Sequence, residues 1–230
     1  MWENPELDLA IFHTNGWKLV VASGESPDGA IRILACRDGL VGASARIHLP
    51  GFAIPPCRES FVRGDALHLC FLETDAAPIG FDLVLMAIEA DEGILVVETV
   101  VSLSTPLLDS HPMVEMEVGD GHPGHPRWTG GRWKRLLDGP DAMWVTALPS
   151  KSIDGPKVAT SLLCDGRDLP SLAAEGEGDL RRIRFFGDFL EKGVIRRVQP
   201  WWIWSNGLIT RRKADQLSAQ LAQRPLALTN

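Results

Sequence analysis

The chain has 230 residues, 45% of them hydrophobic, and a net charge of −7. That is enough apolar material for a sizeable core and too much for a disordered chain, while no apolar run reaches the ~18 residues that cross a bilayer. The negative balance argues against nonspecific nucleic-acid binding, and a start rich in acids without Lys or Arg (MWENPELDLAIF) lacks the basic region of a secretory signal, so the expectation is a cytoplasmic chain with no membrane partner.

Short apolar runs predict strands at 7–12, 17–22, 30–36, 40–49, 59–62, 66–73, 81–89, 94–104, 113–118, 143–148, 158–163, 181–186 and 194–204. Turn chemistry separates them, as in Ser26-Pro27-Asp28-Gly29, Arg37-Asp38-Gly39 and Asp91-Glu92-Gly93. The runs FDLVLMAI and ILVVETVVSLS, joined by EADEG, form the strongest hairpin. They are nearly all apolar, which predicts strands covered on both faces. In the next strand Val114, Met116 and Val118 alternate with Glu115 and Glu117, which predicts one wet face. Two stretches favour helix: 187–192 (GDFLEK), stopped by Gly193, and 214–224, where Ala214, Leu217 and Leu221 share a face and Pro225 follows. The resulting fold class is mostly β: a large antiparallel sandwich with a C-terminal helix that packs its leucine face on a sheet. One domain, 1–230, is expected, with 119–141 as the place for an internal boundary.

The halves differ in charge. Residues 1–120 hold 6 basic and 19 acidic side chains, and residues 121–230 hold 17 and 11, so the halves either attract within one fold or form two faces for different partners. The four cysteines, at 36, 57, 70 and 164, have irregular gaps and read as reduced, mostly buried thiols.

Three stretches carry chemistry. DGHPGHPRW (120–128) overlaps a formal G-x-G-x-x-G, but Pro123 and Pro126 push His122 and His125 into extended geometry, so no phosphate-binding helix starts there. Metal is the second option for this region. His111, Glu115 and Glu117 share strand parity, and His111, Glu115, His122 and His125 form a candidate metal set of suitable ligand types. No resident cofactor is expected, with a divalent metal as the exception that this set would allow. Next, RWTGGRWKR (127–135) supplies Trp128, Arg132 and Trp133, a pairing of indole and guanidinium that suits sugars and carboxylates. The third stretch, RRVQPWWIWS (196–205), puts Trp202 and Trp204 on one strand face and Trp201 on the other. Pro200 cannot donate to a ladder, so this strand is read as an edge strand or as one interrupted there. The other histidines give no selection: His48 reads as solvent-facing and His68 as half-buried.

The paired strands FDLVLMAIEADEGILVVETVVSLS (81–104) resemble the sheet layout of galactose-mutarotase-like β-sandwich proteins. RESFVRGDALHL (58–69) and FLEKGVIRR (189–197) resemble segments of uncharacterised bacterial proteins. The first resemblance implies a supersandwich-like fold that binds or processes carbohydrate on a concave sheet. It transfers no catalytic residue. The leading expectation is therefore a sugar or sugar-acid binder with Trp128, Arg132, Trp133, Trp202 and Trp204 as ligand contacts. In an enzymatic version, His122 or His125 would move the proton with Glu115 or Glu117 as partner. The alternatives are a metal-dependent hydrolase or isomerase built on the His/Glu set, and a non-enzymatic interaction module whose tryptophan edge makes a homo-oligomer.

Overall fold

A computed structural model describes residues 1–3, 6–23, 29–42, 44–119, 142–147, 158–167, 173–177 and 180–225, with the backbone alone for 142–147, 173–177 and 180–181. Its strands follow the alternation in the sequence. They are β1 (Trp2–Glu3), β2 (Leu9–Thr14), β3 (Trp17–Ala22), β4 (Ile31–Arg37), β5 (Leu40–Val41), β6 (Ala45–His48), β7 (Cys57–Arg63), β8 (Ala66–Phe71), β9 (Gly80–Ala90), β10 (Ile94–Ser104), β11 (Met113–Val118), β12 (Ala142–Ala147), β13 (Val158–Asp165), β14 (Ala173–Glu177), β15 (Leu180–Phe186), β16 (Arg196–Val198) and β17 (Trp201–Asn206). One helix, α1 (Arg211–Gln223), follows them. Among the described residues the strands form two antiparallel sheets. The first runs β1-β2-β3-β4-β6-β11-β15-β14, with β5 beside β4. The second runs β12-β13-β17-β10-β9-β8-β7, with β16 beside β10.

The inward-facing residues of the two sheets form one core. From the first sheet come Leu19, Ile33, Ile47, Met116 and Phe185, and from the second Leu69, Leu83, Val97, Leu162 and Trp202, all at most 2% exposed. The chain passes between sheets repeatedly, because a strand with one apolar face is satisfied wherever that face meets the core. The Asn15-Gly16 turn between β2 and β3 has positive φ at both residues, the geometry that a two-residue hairpin of this twist requires. Tryptophans tie the sheets at their ends. The Trp17 indole N–H donates to the Asp91 carbonyl in the β9–β10 turn at 2.8 Å, and Trp2 donates to the Asp65 carbonyl at 3.1 Å.

The second sheet has a third layer. Ile94, Val96, Leu163, Trp201 and Ile203 face away from the sandwich core and are covered by Ala214, Leu217 and Leu221 of α1. This meets the expectation that the leucine face packs on a sheet. The helix starts three residues before the expected 214, at a Thr210 N-cap whose side chain accepts from the Lys213 N–H. The expected helix at 187–192 does not form. Phe186 (φ 68°) and Gly187 (φ 91°) turn the chain, and Leu190 pairs with Ser110 in an isolated bridge. Six residues are too few to offset helix nucleation without packing support.

The strand containing Pro200 is interrupted rather than at an edge. Both β16 and β17 pair with β10, and β17 also pairs with β13. Pro200 sits in the gap, where its carbonyl accepts from the Thr99 N–H at 2.9 Å. No described helix is long and apolar enough to cross a membrane.

Candidate functional site on the first sheet

On β6, β11 and β15 of the first sheet the outward-facing residues are charged or titratable, whereas β10, β13 and β17 of the second sheet turn the apolar Ile94, Val96, Leu163, Trp201 and Ile203 outward. In β6 Ala45 and Ile47 point into the core, so Arg46 and His48 point out. In β11 Glu115 and Glu117 point out, and in β15 Arg182 and Arg184 do so. Register then brings them together. Glu115 stands opposite His48 and Arg184, and Glu117 opposite Arg46 and Arg182. Arg32 of β4 continues the row beside Arg46, and Glu175 of β14 stands opposite Arg182.

The two glutamates are the centre of this face. Arg184 Nε donates to Glu115 Oε1 at 2.5 Å, and Arg182 Nε lies 3.3 Å from Glu115 Oε2. Arg182 Nε also donates to Glu117 Oε1 at 2.8 Å. The other oxygen of Glu117 meets His48 Nε2 at 3.0 Å and Arg46 Nε at 3.7 Å. Glu115 and Glu117 are 7% and 3% exposed. The expected wet face of β11 is thus a closed one, because arginines from both neighbouring strands cover the carboxylates. Burial alone pushes the Glu117 carboxyl up, but the His48 hydrogen bond and charge, with Arg182 and Arg46, outweigh it and hold the group below the ordinary glutamate value.

The other expected site residues separate into three groups. Trp202 and Trp204 are both 0% exposed and stack in the inter-sheet core with ring centroids 6.4 Å apart. Neither offers a face to a sugar, which corrects their assignment as ligand contacts. Close packing explains this: a Cβ added at Gly42 would lie 2.9 Å from Trp204 Cδ1, so the backbone before β6 already occupies the space over the ring. His111 is exposed, pairs with Asp109 at 3.7 Å and packs edge-on to Phe189, while Glu115 is held by two guanidiniums. A carboxylate so engaged is a poor ligand for a cation, since the arginines repel it. Among the described residues no group of three or more His, Cys, Asp or Glu is placed to hold a metal. The third group, His122, His125, Trp128, Arg132 and Trp133, lies outside the described residues.

His48, read as solvent-facing, does point outward, but its side chain is only 19% exposed, against Glu117. Sequence reasoning passed over Arg46, Arg182 and Arg184. Their alternation with Ala45, Ile47, Ile183 and Phe185 was the available signal. Thiol chemistry is a weak option here. The described cysteines are free, and burial, followed by the charge of Asp82, pushes the Cys70 thiol up to about 12, so it stays protonated at neutral pH.

The fold and this face define an all-β sandwich with a buried ion-pair row on one sheet. No family model matches the chain, and no curated protein matches it.

Proposed function

We propose that the protein binds a sugar acid on the charged face of the first sheet. The observation that carries this reading is the placement of Arg182. It contacts both Glu115 and Glu117, so its guanidinium is fixed in position, yet 38% of its side chain remains exposed. Arg184 beside it is 32% exposed. Two adjacent guanidiniums held by buried carboxylates are pre-ordered for a bidentate grip on a third carboxylate, and little side-chain entropy remains to be lost on binding. His48 adds a ring nitrogen near the same place, able to bond a hydroxyl. The carbohydrate class comes from the resemblance of residues 81–104, and the acid from the arginines.

Calorimetry with glucuronate and galacturonate, against glucose and galactose as neutral controls, tests the reading. The uronates are expected to bind with an affinity that falls as salt rises. Arg184→Ala is expected to weaken them about tenfold or more, the loss of a charge-assisted hydrogen-bond pair. Uronate binding that is absent, or unchanged in Arg184→Ala, would make this face a purely structural ion-pair row.

A further inference from the structure

The second sheet ends in a strand that no described element covers. Among the described residues β7 pairs with β8 alone, and five of its seven residues are exposed. An uncovered edge of this length presents unpaired backbone groups to another strand, which the two-residue β1 at the end of the first sheet scarcely does. The strand expected to form an oligomer edge, β17, is instead interior, between β10 and β13.

Three residues of β7 project from the outer face. Glu59, Phe61 and Arg63 stand opposite Cys70, His68 and Ala66 of β8, while Leu67, Leu69 and Phe71 face the core. Phe61 is 40% exposed and lies flat on the His68 ring, with centroids 4.8 Å apart and planes 2° apart. Its ring is therefore held against the sheet. Burial, then the Arg63 charge, lowers the His68 pKa, so the imidazole beside Phe61 is neutral at neutral pH. Glu59 and Arg63 are exposed and form no ion pair among the described residues.

These positions select one way of pairing β7 with its own copy. Two copies of a strand joined antiparallel in a continuous sheet are related by a two-fold axis perpendicular to it. That axis keeps the outer faces on one side, so it must lie level with a residue. An axis at Ser60 sets Glu59 against Phe61, and one at Val62 sets Glu59 against Asp65. An axis at Phe61 sets Glu59 against Arg63 twice, on either side of a Phe61 pair. Backbone pairing agrees with this centre. Arg63 and Ala66 close a two-residue turn, so they exchange hydrogen bonds, and alternation directs the N–H and C=O of Ser60 and Val62 away from β8. With the axis at Phe61, Ser60 of one copy meets Val62 of the other, and these groups bond each other.

We propose that β7 is an interaction surface for a second copy of this chain, joined antiparallel about Phe61 so that the second sheet continues across the dimer. The two Phe61 rings cover each other's exposed edges, two Glu59–Arg63 pairs fix the register, and Ser60 and Val62 complete the ladder. One strand pair is a small interface, under about 1,200 Å², so the dimer is expected to be weak and reversible.

Sedimentation velocity of the full chain at protein concentrations up to about 1 mM tests it. Wild type is expected to pass from monomer to dimer, at lower concentration in low salt than in high. Glu59→Arg and Arg63→Glu each set like charges against each other twice, and each is expected to weaken association about tenfold or more. A general charge effect would move these two variants in opposite directions. The double variant Glu59→Arg/Arg63→Glu is expected to restore association to near the wild-type level. Both positions are exposed and face Cys70 and Ala66 within the sheet, so none of the three variants is expected to disturb the fold. A chain that stays monomeric throughout overturns the proposal and leaves the edge to a strand of another protein. A dimer that is indifferent to the single reversals, or is not restored by the double one, overturns it too and places the contact elsewhere.

Discussion

The outer faces of the two sheets solve one problem in two ways. Each lies next to a strand of the central core, and each buries carboxylates. On the first sheet, Glu115 and Glu117 find partners in register on the strands to either side, Arg46 and His48 in β6, Arg182 and Arg184 in β15. The second sheet's outer face is apolar at Ile94, Val96, Trp201 and Ile203, and it needs a separate element, α1, to cover it. Its buried carboxylate, Glu98, has Gln199 as a neighbour at 2.6 Å, and its countercharge comes from Arg224 at the end of that helix. A charged face can close on itself within a sheet, whereas an apolar face must import a cover. Both solutions draw on the charge asymmetry of the chain. Arg182, Arg184, Lys213 and Arg224 come from the basic half, and the carboxylates they meet come from the acidic half.

The largest expected effect breaks the core that both faces share. Trp202→Ala removes a fully buried ring between the sheets, and urea denaturation is expected to show a loss of about 3–5 kcal/mol. That is a large part of the stability of an ordinary domain. A surface tryptophan that served only to stack a ligand would cost little, so a change near zero would restore Trp202 as a binding residue.

A smaller effect is expected on the charged face. Glu117→Gln leaves Arg46, Arg182 and His48 with a neutral acceptor in place of a carboxylate. Breaking a buried pair costs about 3–5 kcal/mol, but Arg182 is more than a third exposed, so solvent screening reduces the expectation to about 2 kcal/mol. The pH dependence fixes the cause. The Glu117 carboxyl is held below its ordinary value in the fold, so the unfolded chain takes up the proton first as pH falls. The stabilisation is therefore complete above the ordinary glutamate value of 4.5 and disappears as pH drops through the lowered folded value. The denaturation midpoints of wild type and Glu117→Gln should differ at neutral pH and converge in acid. Curves that stay parallel would assign the loss to packing instead of charge.

These differences show what could be read in advance. The strands at 94–104 and 113–118 were legible to the residue, because their apolar patterns end in unambiguous turn chemistry. The buried face of α1 was legible from Ala214, Leu217 and Leu221, but its start was not, since Arg211, Arg212 and Lys213 add nothing apolar to the pattern. The exposure of Trp202 and Trp204 was misread because Pro200 can mark an edge strand or a gap, and only pairing with both β10 and β13 decides between them. The charged face was half legible. Parity alone places Glu115, Glu117, Arg182 and Arg184 outward on their own strands. That β15 lies beside β11, over 60 residues later in the chain, is a property of strand order, which local sequence does not encode.

The smallest expected effect sharpens the contrast most. The Thr210 side chain accepts from the Lys213 N–H at 3.3 Å and so caps the first turn of α1. That turn has no acidic residue to favour the helix dipole, which leaves Thr210 as its main local stabiliser. Thr210→Ala is expected to cost about 1 kcal/mol, with faster hydrogen exchange through Arg211–Gln223. Since α1 covers the second sheet's outer face alone, exchange in β11 and β15 should stay at its wild-type rate if the two faces open separately. Equal acceleration at β11 and β15 would mean that the helix cover and the ion-pair row belong to one cooperative unit. The self-closing face would then depend on the cover across the sandwich, and the distinction between the two solutions would hold for geometry but not for energetics.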